Sequence, residues 1–310
     1  MTDVMTTNDR VLPVRRARRR GARGRVFPAL ALLAPSLVFL ILFTYWPMLQ
    51  SLIQSLSIQS FGSTQTTFGF GNFQRLFADP GFRQAAVNNA VYAAGTILPA
   101  IALALALAVG LQEATGLNTL LRGVVFFPVL IPLVAAAALF SFVFLPGVGL
   151  LDYYLAKFGA SQTNWLGDPS IALWSLIGLT VWKNAGYYML FFLAGLQAIP
   201  EDLYEAARME GAGTLARFRR ITLPLLGPTL AFVFVIALIN SVTQIDHVVL
   251  LTQGGPSNST NLLLYYIYQQ AHQNYDYGLA AAATVVTLAM LLSLSVISLK
   301  SLERGAHYES

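Results

Sequence analysis

Pro200-Glu-Asp-Leu-Tyr-Glu-Ala-Ala-Arg-Met-Glu-Gly211, continuing as Ala212-Gly-Thr-Leu-Ala-Arg-Phe-Arg-Arg220 and Ile221-Thr-Leu-Pro224, is the most charged internal segment of the chain. It reads as two short helices with a break between them. Pro200 suits a first helical position, where its missing N–H costs nothing, and Glu201 and Asp202 complement the positive end of a helix dipole. Gly211 is suited to stopping that helix in a left-handed conformation. A second amphipathic turn follows, and Pro224 opens the next segment. Ala206 and Ala207 leave a face that another protein can approach closely. On either side lie apolar runs, about 171–196 and 223–245. At 1.5 Å per residue each is long enough to cross a hydrocarbon core of about 30 Å. A charged aqueous loop between two membrane-length helices sets the fold class.

Working outward, four more apolar runs appear, at about 26–48, 86–111, 124–145 and 279–299. All are twenty or more residues long and none alternates with the short period of a barrel strand, so the expectation is an all-α bundle of six spans. Composition agrees. Of 310 residues, 56% are hydrophobic and 11% charged, where a soluble domain carries about 25% charged residues. Mean hydropathy is +0.61. Too few polar groups remain to cover a water-facing surface. Cysteine is absent, which excludes a disulfide framework, thiolate metal sites and cysteine nucleophiles. Pro99, Pro128 and Pro132 fall inside apolar runs and are expected to kink the spans rather than bound them. Ala-rich stretches at 135–138 and 280–283 permit close helix approach. The polar connections carry Phe68, Phe70, Phe73 and Phe77 in one case and Tyr153, Tyr154 and Trp165 in another. These suit packed interfacial structure and a headgroup belt.

Residues 1–25 read as a disordered basic tail, 26–300 as the membrane domain with its charged loop at 199–224, and 301–310 as a second tail. The apolar run after the basic tail exceeds the 7–15 residues of a signal peptide, so it reads as an uncleaved first span. Eight arginines (Arg10, Arg15, Arg16, Arg18, Arg19, Arg20, Arg23 and Arg25) precede it. Such a cluster resists translocation and is drawn to anionic lipid, a better account of it than nucleic-acid binding. With the N-terminus in the cytoplasm, Arg122, Arg208, Arg217, Arg219, Arg220, Lys300 and Arg304 fall on the same side. Arg75, Arg83 and Lys157 fall outside, and Lys183 lies within a span. The bias predicts both termini inside and an even number of spans.

The loop resembles the permease family of binding-protein-dependent ABC importers, sugar and glycerol-3-phosphate type. That family's signature is Glu-Ala-Ala, three residues, Gly, nine residues, Ile, one residue, Leu-Pro. Here Glu205, Ala206, Ala207, Gly211, Ile221, Leu223 and Pro224 stand at that spacing. The resemblance extends over most of residues 26–310, through Ala34-Pro35, Tyr45-Trp46-Pro47, Gly69-Phe-Gly-Asn72-Phe73, Val181-Trp182-Lys183 and Leu251-Thr-Gln-Gly-Gly-Pro256. Gln253 departs from the family's usual glycine in the last of these. What the resemblance implies is a type I importer permease in the bacterial inner membrane. The loop would dock on an ATPase, with Glu205 in polar contact, Ala206 and Ala207 in close approach and Gly211 at the turn. Its partners would be a second, similar permease, two ATP-binding cassette subunits and an extracytoplasmic solute-binding protein. Overall resemblance tips the solute toward glycerol-3-phosphate or glycerol phosphodiesters over neutral sugars.

The chain itself offers no Gly-x4-Gly-Lys-Ser/Thr loop and no His-Glu-x2-His, and His247, His272 and His307 are too scattered for a metal site. The expectation is therefore a transport subunit without catalysis, metal or cofactor. A stand-alone secondary transporter or channel is the other reading, and it would need ion-coupling residues near the bilayer midplane. Lys183 is the one clear candidate there. Asn184, Tyr187 and Tyr188 adjoin it, and Asn240 and Gln244 on the fifth span are expected to face it. Those six residues form the candidate substrate path. For Lys183 a structural hydrogen bond to a helix end stands beside the transport role.

Overall fold

The computed structural model describes residues 23–59 and 66–303. The expected basic tail up to residue 22 and the end of the C-terminal tail from 304 lie outside the described residues. The chain divides after Gln50 into two units. In the first, helix begins within the arginine cluster as α1 (Arg23–Leu40) and passes through a π-helical stretch (Ile41–Tyr45) into α2 (Trp46–Leu56). Phe39 and Phe43, one turn apart, stack at 5.8 Å. The 25 residues Leu32–Leu56 are long and apolar enough to cross a membrane.

The second unit opens with the end of α2, from Ser51, and continues into a short antiparallel ribbon, β1 (Ser57–Gln59) and β2 (Thr66–Phe68), with Ser57 opposite Phe68. α3 (Gly71–Ala78) follows, and its buried Asn72 donates to the carbonyls of Ser55 and Ser57 at 3.1 and 2.9 Å. Of the four phenylalanines expected to pack here, Phe73 lies against the core around Leu76, Phe82 and Leu279, while Phe68, Phe70 and Phe77 are exposed. α4 (Pro80–Gly110) starts cleanly because Pro80 sits in the first turn and the Asp79 carboxylate accepts from the Gly81 N–H at 2.7 Å. Pro99 lies inside α4 without ending it.

The run at 124–145 behaves differently. It forms α5 (Gly116–Leu130) and α6 (Leu133–Val143), bent by 99° at a break of two residues. The expectation of mere kinks is corrected at Pro132, which is a boundary. Its ring disfavours helical geometry in the residue before it, and Ile131 is extended at φ −76°, ψ 125°. Past α7 (Leu150–Ala156) comes α8 (Ala172–Gln197), the 26-residue helix at the centre of the unit. The loop then forms α9 (Glu201–Met209), α10 (Thr214–Arg217), a π-helical turn (Phe218–Thr222) and α11 (Leu223–Leu225). α12 (Gly227–Thr243), α13 (Asp246–Leu251), α14 (Leu263–His272) and α15 (Tyr277–Glu303) complete the chain.

The main core joins α4, α8 and α12. Ile97, Ala100, Ile101, Ala104 and Ala108 on α4 meet Tyr188, Met189, Phe192, Leu193 and Leu196 on α8, with Val233, Ala237 and Leu238 from α12. The recurring alanines on α4 let the helices approach closely, which is how helices gain contact where lipid removes most of the hydrophobic drive. By length and composition four of the described helical segments can cross a membrane: 32–56, 80–110, 227–251 and 277–298. The bent α5–α6 pair makes a fifth if it counts as one span. α8 is not among them despite its length. Its middle carries Lys183 and Asn184, both buried in the bundle.

Candidate transport site and coupling loop

Three structures are built on α8 and the loop that follows it. The first is the loop. Glu201 and Asp202 occupy the first turn of α9, as its dipole favours. The helix ends at Gly211 with φ +78°, a conformation that costs a side chain about 1–2 kcal/mol and glycine little. The Ala212 N–H returns to the Ala207 carbonyl at 2.9 Å and the Gly211 N–H to Arg208 at 3.0 Å, closing the stop. Tyr204 and buried Thr222 share a hydrogen bond of 2.9 Å, which fastens α9 to the foot of α12. On the outer side Glu205 and Ala206 are exposed and Ala207 half-buried; Leu223 and Pro224 are exposed and Ile221 half-buried. Met209 is 89% and Leu215 69% exposed.

The second structure is a polar column inside the apolar bundle. Asn88, Tyr92 and Thr96 recur every fourth residue along α4, and Thr180, Asn184 and Tyr188 do the same along α8, so each set lies on one helix face. The Asn88 amide donates to the carbonyls of Asn258 and Asn261 at 2.7 and 3.0 Å. Tyr92 Oη lies 2.7 Å from Thr180 Oγ1 and 2.9 Å from His247 Nε2, and its ring stacks on the imidazole. Further along, Thr96, Thr180, Asn184, Tyr188, Asn240 and Ser241 line a cavity of about 10 Å³, with Asn240 Nδ2 donating to Tyr188 Oη at 3.2 Å. That is room for about one water.

The third is the environment of Lys183. Only 7% of it is exposed. Its ammonium donates to the carbonyls of Pro128 at 3.2 Å, Val129 at 3.4 Å and Ile131. These are carbonyls at the C-terminal end of α5 and in the break, where the helical ladder stops; that of Pro128 also accepts from the Ile131 N–H at 3.3 Å. One turn on, Gly186 touches the same helix so closely that a Cβ would stand 2.0 Å from the Val125 carbonyl oxygen.

A profile of the family described as binding-protein-dependent transport system inner membrane component matches residues 100–304. The chain belongs to that family. The permease is 35% identical over 288 residues to the probable ABC transporter permease protein YurN of Bacillus subtilis, covering 91% of this chain and 98% of that one. It is 32% identical over 281 residues to the sn-glycerol-3-phosphate transport system permease protein UgpA of Brucella abortus, covering 89% and 95%. Among solved structures, a chain of a bacterial ABC transporter involved in import of the acidic polysaccharide alginate aligns with a TM-score of 0.79 at 26% identity, over 91% and 96% of the two chains. The permease is thus a multi-pass component of the bacterial inner membrane, a transport subunit of an ABC importer and not itself an enzyme.

Of the six residues expected along the substrate path, Asn184, Tyr188 and Asn240 line the cavity of the permease. Tyr187 packs against Tyr188 and Phe191 at its side. Gln244 ends α12 with its Oε1 buried and unpartnered, and Lys183 turns to the α5 carbonyls. Thr96, Thr180 and Ser241, together with Tyr92 and His247 above them, escaped the sequence reading. Their signal is the four-residue spacing of polar side chains within apolar runs.

Proposed function

We propose that the permease supplies one half of a translocation path for a carbohydrate or glycerol-3-phosphate-type solute and that the segment 199–224 couples it to ATP hydrolysis. It would work as a heterodimer with a second permease, two ATPase subunits and an extracytoplasmic solute-binding protein. Six spans with both termini cytoplasmic would result from the four long apolar segments, the bent α5–α6 pair and α8. The observation that carries the coupling reading is the outer surface of α9 and α10. Glu205, Ala206 and Gly211 stand at the family spacing, in a loop that also exposes the apolar side chains of Met209 and Leu215. The substrate class is supported by the named functions of UgpA and of the alginate importer. A stand-alone, ion-coupled transporter would need a carboxylate in its path, whereas every residue lining the cavity is uncharged.

Charge reversal at the loop tests the coupling. Glu205→Lys is expected to insert and pair normally while ATPase copurification and uptake both fall. Full uptake with the ATPase still bound would remove Glu205 from the interface.

A further inference from the structure

The segment between α6 and α8 has its polarity inside out. Along α7 and its cap, Leu150, Tyr153, Tyr154 and Lys157 follow the spacing of one helix face, and all four are exposed. Asp152 turns inward instead and is buried. Its carboxylate accepts from the Gly147 N–H and the Trp165 indole, both at 2.7 Å, and from the Thr163 N–H at 3.4 Å. A helix facing water would put the acid outside and the aromatic side chains inside. Val148 at 82% and Phe158 at 88% exposure extend the outward apolar surface. The bonds to Asp152, with Phe144 against Trp165 at 6.4 Å, tie this segment down, so the surface is presented by a fixed loop.

We propose that this surface lies in the headgroup layer of the membrane and that the cavity beside Lys157 takes the phosphate of an anionic phospholipid. Continuity argues for lipid. Leu139 and Phe142 are exposed along α6, in the bent pair apolar enough to cross a membrane, and Leu145, Val148 and Leu150 prolong that exposed run past the helix end. Charge argues for an anionic headgroup. Lys157 Nζ stands over the rings of Tyr153 and Tyr154 at 4.4 and 5.1 Å and forms no ion pair with a carboxylate among the described residues. A protein partner closing over it would strip that ammonium of water, whereas tyrosine and lysine at a membrane surface meet the headgroups directly. The cavity has a volume of about 330 Å³, and Lys157, Tyr153 and Gln162 stand on its wall. Ammonium, phenol and amide can all donate to phosphate oxygens. Asp152 shares the wall, but three N–H donors already occupy its oxygens. A zwitterionic lipid carries its own cation to balance the phosphate, and phosphatidylglycerol does not, so the free ammonium selects the latter. Neither the polar column nor the loop at 199–224 takes part, so this lipid site stands or falls apart from the transport reading.

The test uses the assembled importer in phosphatidylcholine vesicles, with a bimane on Phe158→Cys as its single reactive cysteine. Bromine on the acyl chains of the bulk lipid should quench this probe at least twofold and more strongly than aqueous iodide does. Stronger quenching by iodide would put the surface in water, and resistance to both would put it under a partner subunit; either result overturns the proposal. With only a minor share of the lipid brominated, phosphatidylglycerol should quench about fivefold more than the same share of phosphatidylcholine, the enrichment expected of one lysine at charged headgroups. Lys157→Gln should abolish that preference and Lys157→Arg keep it, with the ATPase subunits still copurifying. Equal quenching by the two lipids in the parent, or a preference that survives Lys157→Gln, overturns the headgroup site. Loss of the preference in the parent on adding inorganic phosphate, at an ionic strength matched with chloride, would give the cavity to the free anion and overturn the assignment to lipid.

Discussion

Replacing Lys183 by methionine keeps the length and apolar stem of the side chain and removes only the charged donor. The ammonium bonds three carbonyls at the α5–α6 break. A hydrogen bond with one charged partner contributes about 1.5–3 kcal/mol. Counting Pro128 and Ile131 fully, and Val129 at its longer distance not at all, gives about 3–6 kcal/mol. Methionine also escapes the insertion cost of a mid-span lysine, about 2.5–3.5 kcal/mol. The balance is a loss of about 2 kcal/mol. For a chain of this size that lowers the thermal midpoint by about 4–8 °C, at about 2–4 °C per kcal/mol. Purified importer carrying Lys183→Met is therefore expected to melt earlier and to assemble in lower yield, with uptake per assembled complex within about twofold of the parent. Lys183→Arg keeps charge and donors and should recover most of the midpoint. An unchanged midpoint and yield would refute the clamp. A normal midpoint with uptake abolished, and rescued by arginine, would put the ammonium in the path.

The same α5–α8 contact makes Gly186→Ala a severe change, because the new methyl would overlap the Val125 carbonyl and press on backbone that cannot rotate away. The expected cost is about 1–3 kcal/mol from overpacking, read as lost assembly, and an alanine variant with parental yield would refute the close approach. Outside the membrane core, hydrogen bonds from the Gly147 N–H, the Trp165 indole and the Thr163 N–H hold the Asp152 carboxyl below its ordinary pKa. A lowered folded-state value means the stabilisation is complete above the ordinary carboxyl range, near 3.9, and is lost as pH falls through the folded value beneath it. Hydrogen exchange over 147–165 should therefore stay slow down to about pH 4 and rise below it, and Asp152→Asn should lack that step; a step persisting in the variant would assign it elsewhere. Because the chain has no cysteine, single cysteines report topology directly. Ser161→Cys should react with an impermeant maleimide from outside and Ala212→Cys only from the cytoplasm, and the reverse at either position would overturn the orientation.

What could be read from sequence was what depends on neighbours along the chain. Pro200, the acids after it and Gly211 act within one or two turns, so the end of α9 was legible from residue chemistry alone, down to the left-handed glycine. The break at 131–132 was not. A proline in an apolar run is compatible with a kink, as Pro99 is in α4, or with a full stop, as Pro132 is, and the difference lies in whether distant groups satisfy the freed carbonyls. Here the satisfier is Lys183, more than fifty positions away. The column was half legible. Asparagines and tyrosines stand out in an apolar run, while Thr96 and Ser241 pass as ordinary because such hydroxyls bond their own helix, Thr96 to the Tyr92 carbonyl and Ser241 to Leu238. Spacing every fourth residue on two helices was the available clue, and it gains meaning only once α4 and α8 are known to lie side by side.

α8 carries both structures on neighbouring faces. Thr180, Asn184 and Tyr188 form the stripe that meets α4 and α12, and Lys183 and Gly186 form the stripe that meets α5. At 26 residues it is about 39 Å long, a stiff rod on the scale of the membrane. Its C-terminal end passes through only Ala198, Ile199 and Pro200 before α9 begins, and Leu196 in its last turn is buried in the main core. If the loop couples to an ATPase as proposed, a displacement of it would be delivered to one end of the helix that lines the column and grips the broken α5. Because Lys183 and Gly186 bind α8 to backbone rather than to adaptable side chains, α5 must travel with it or the clamp must open. Rigid travel would leave the Lys183 bonds intact throughout the cycle and change the column against α4 and α12. The expected outcome of that arrangement is that substitutions in the column alter uptake while substitutions in the clamp alter assembly.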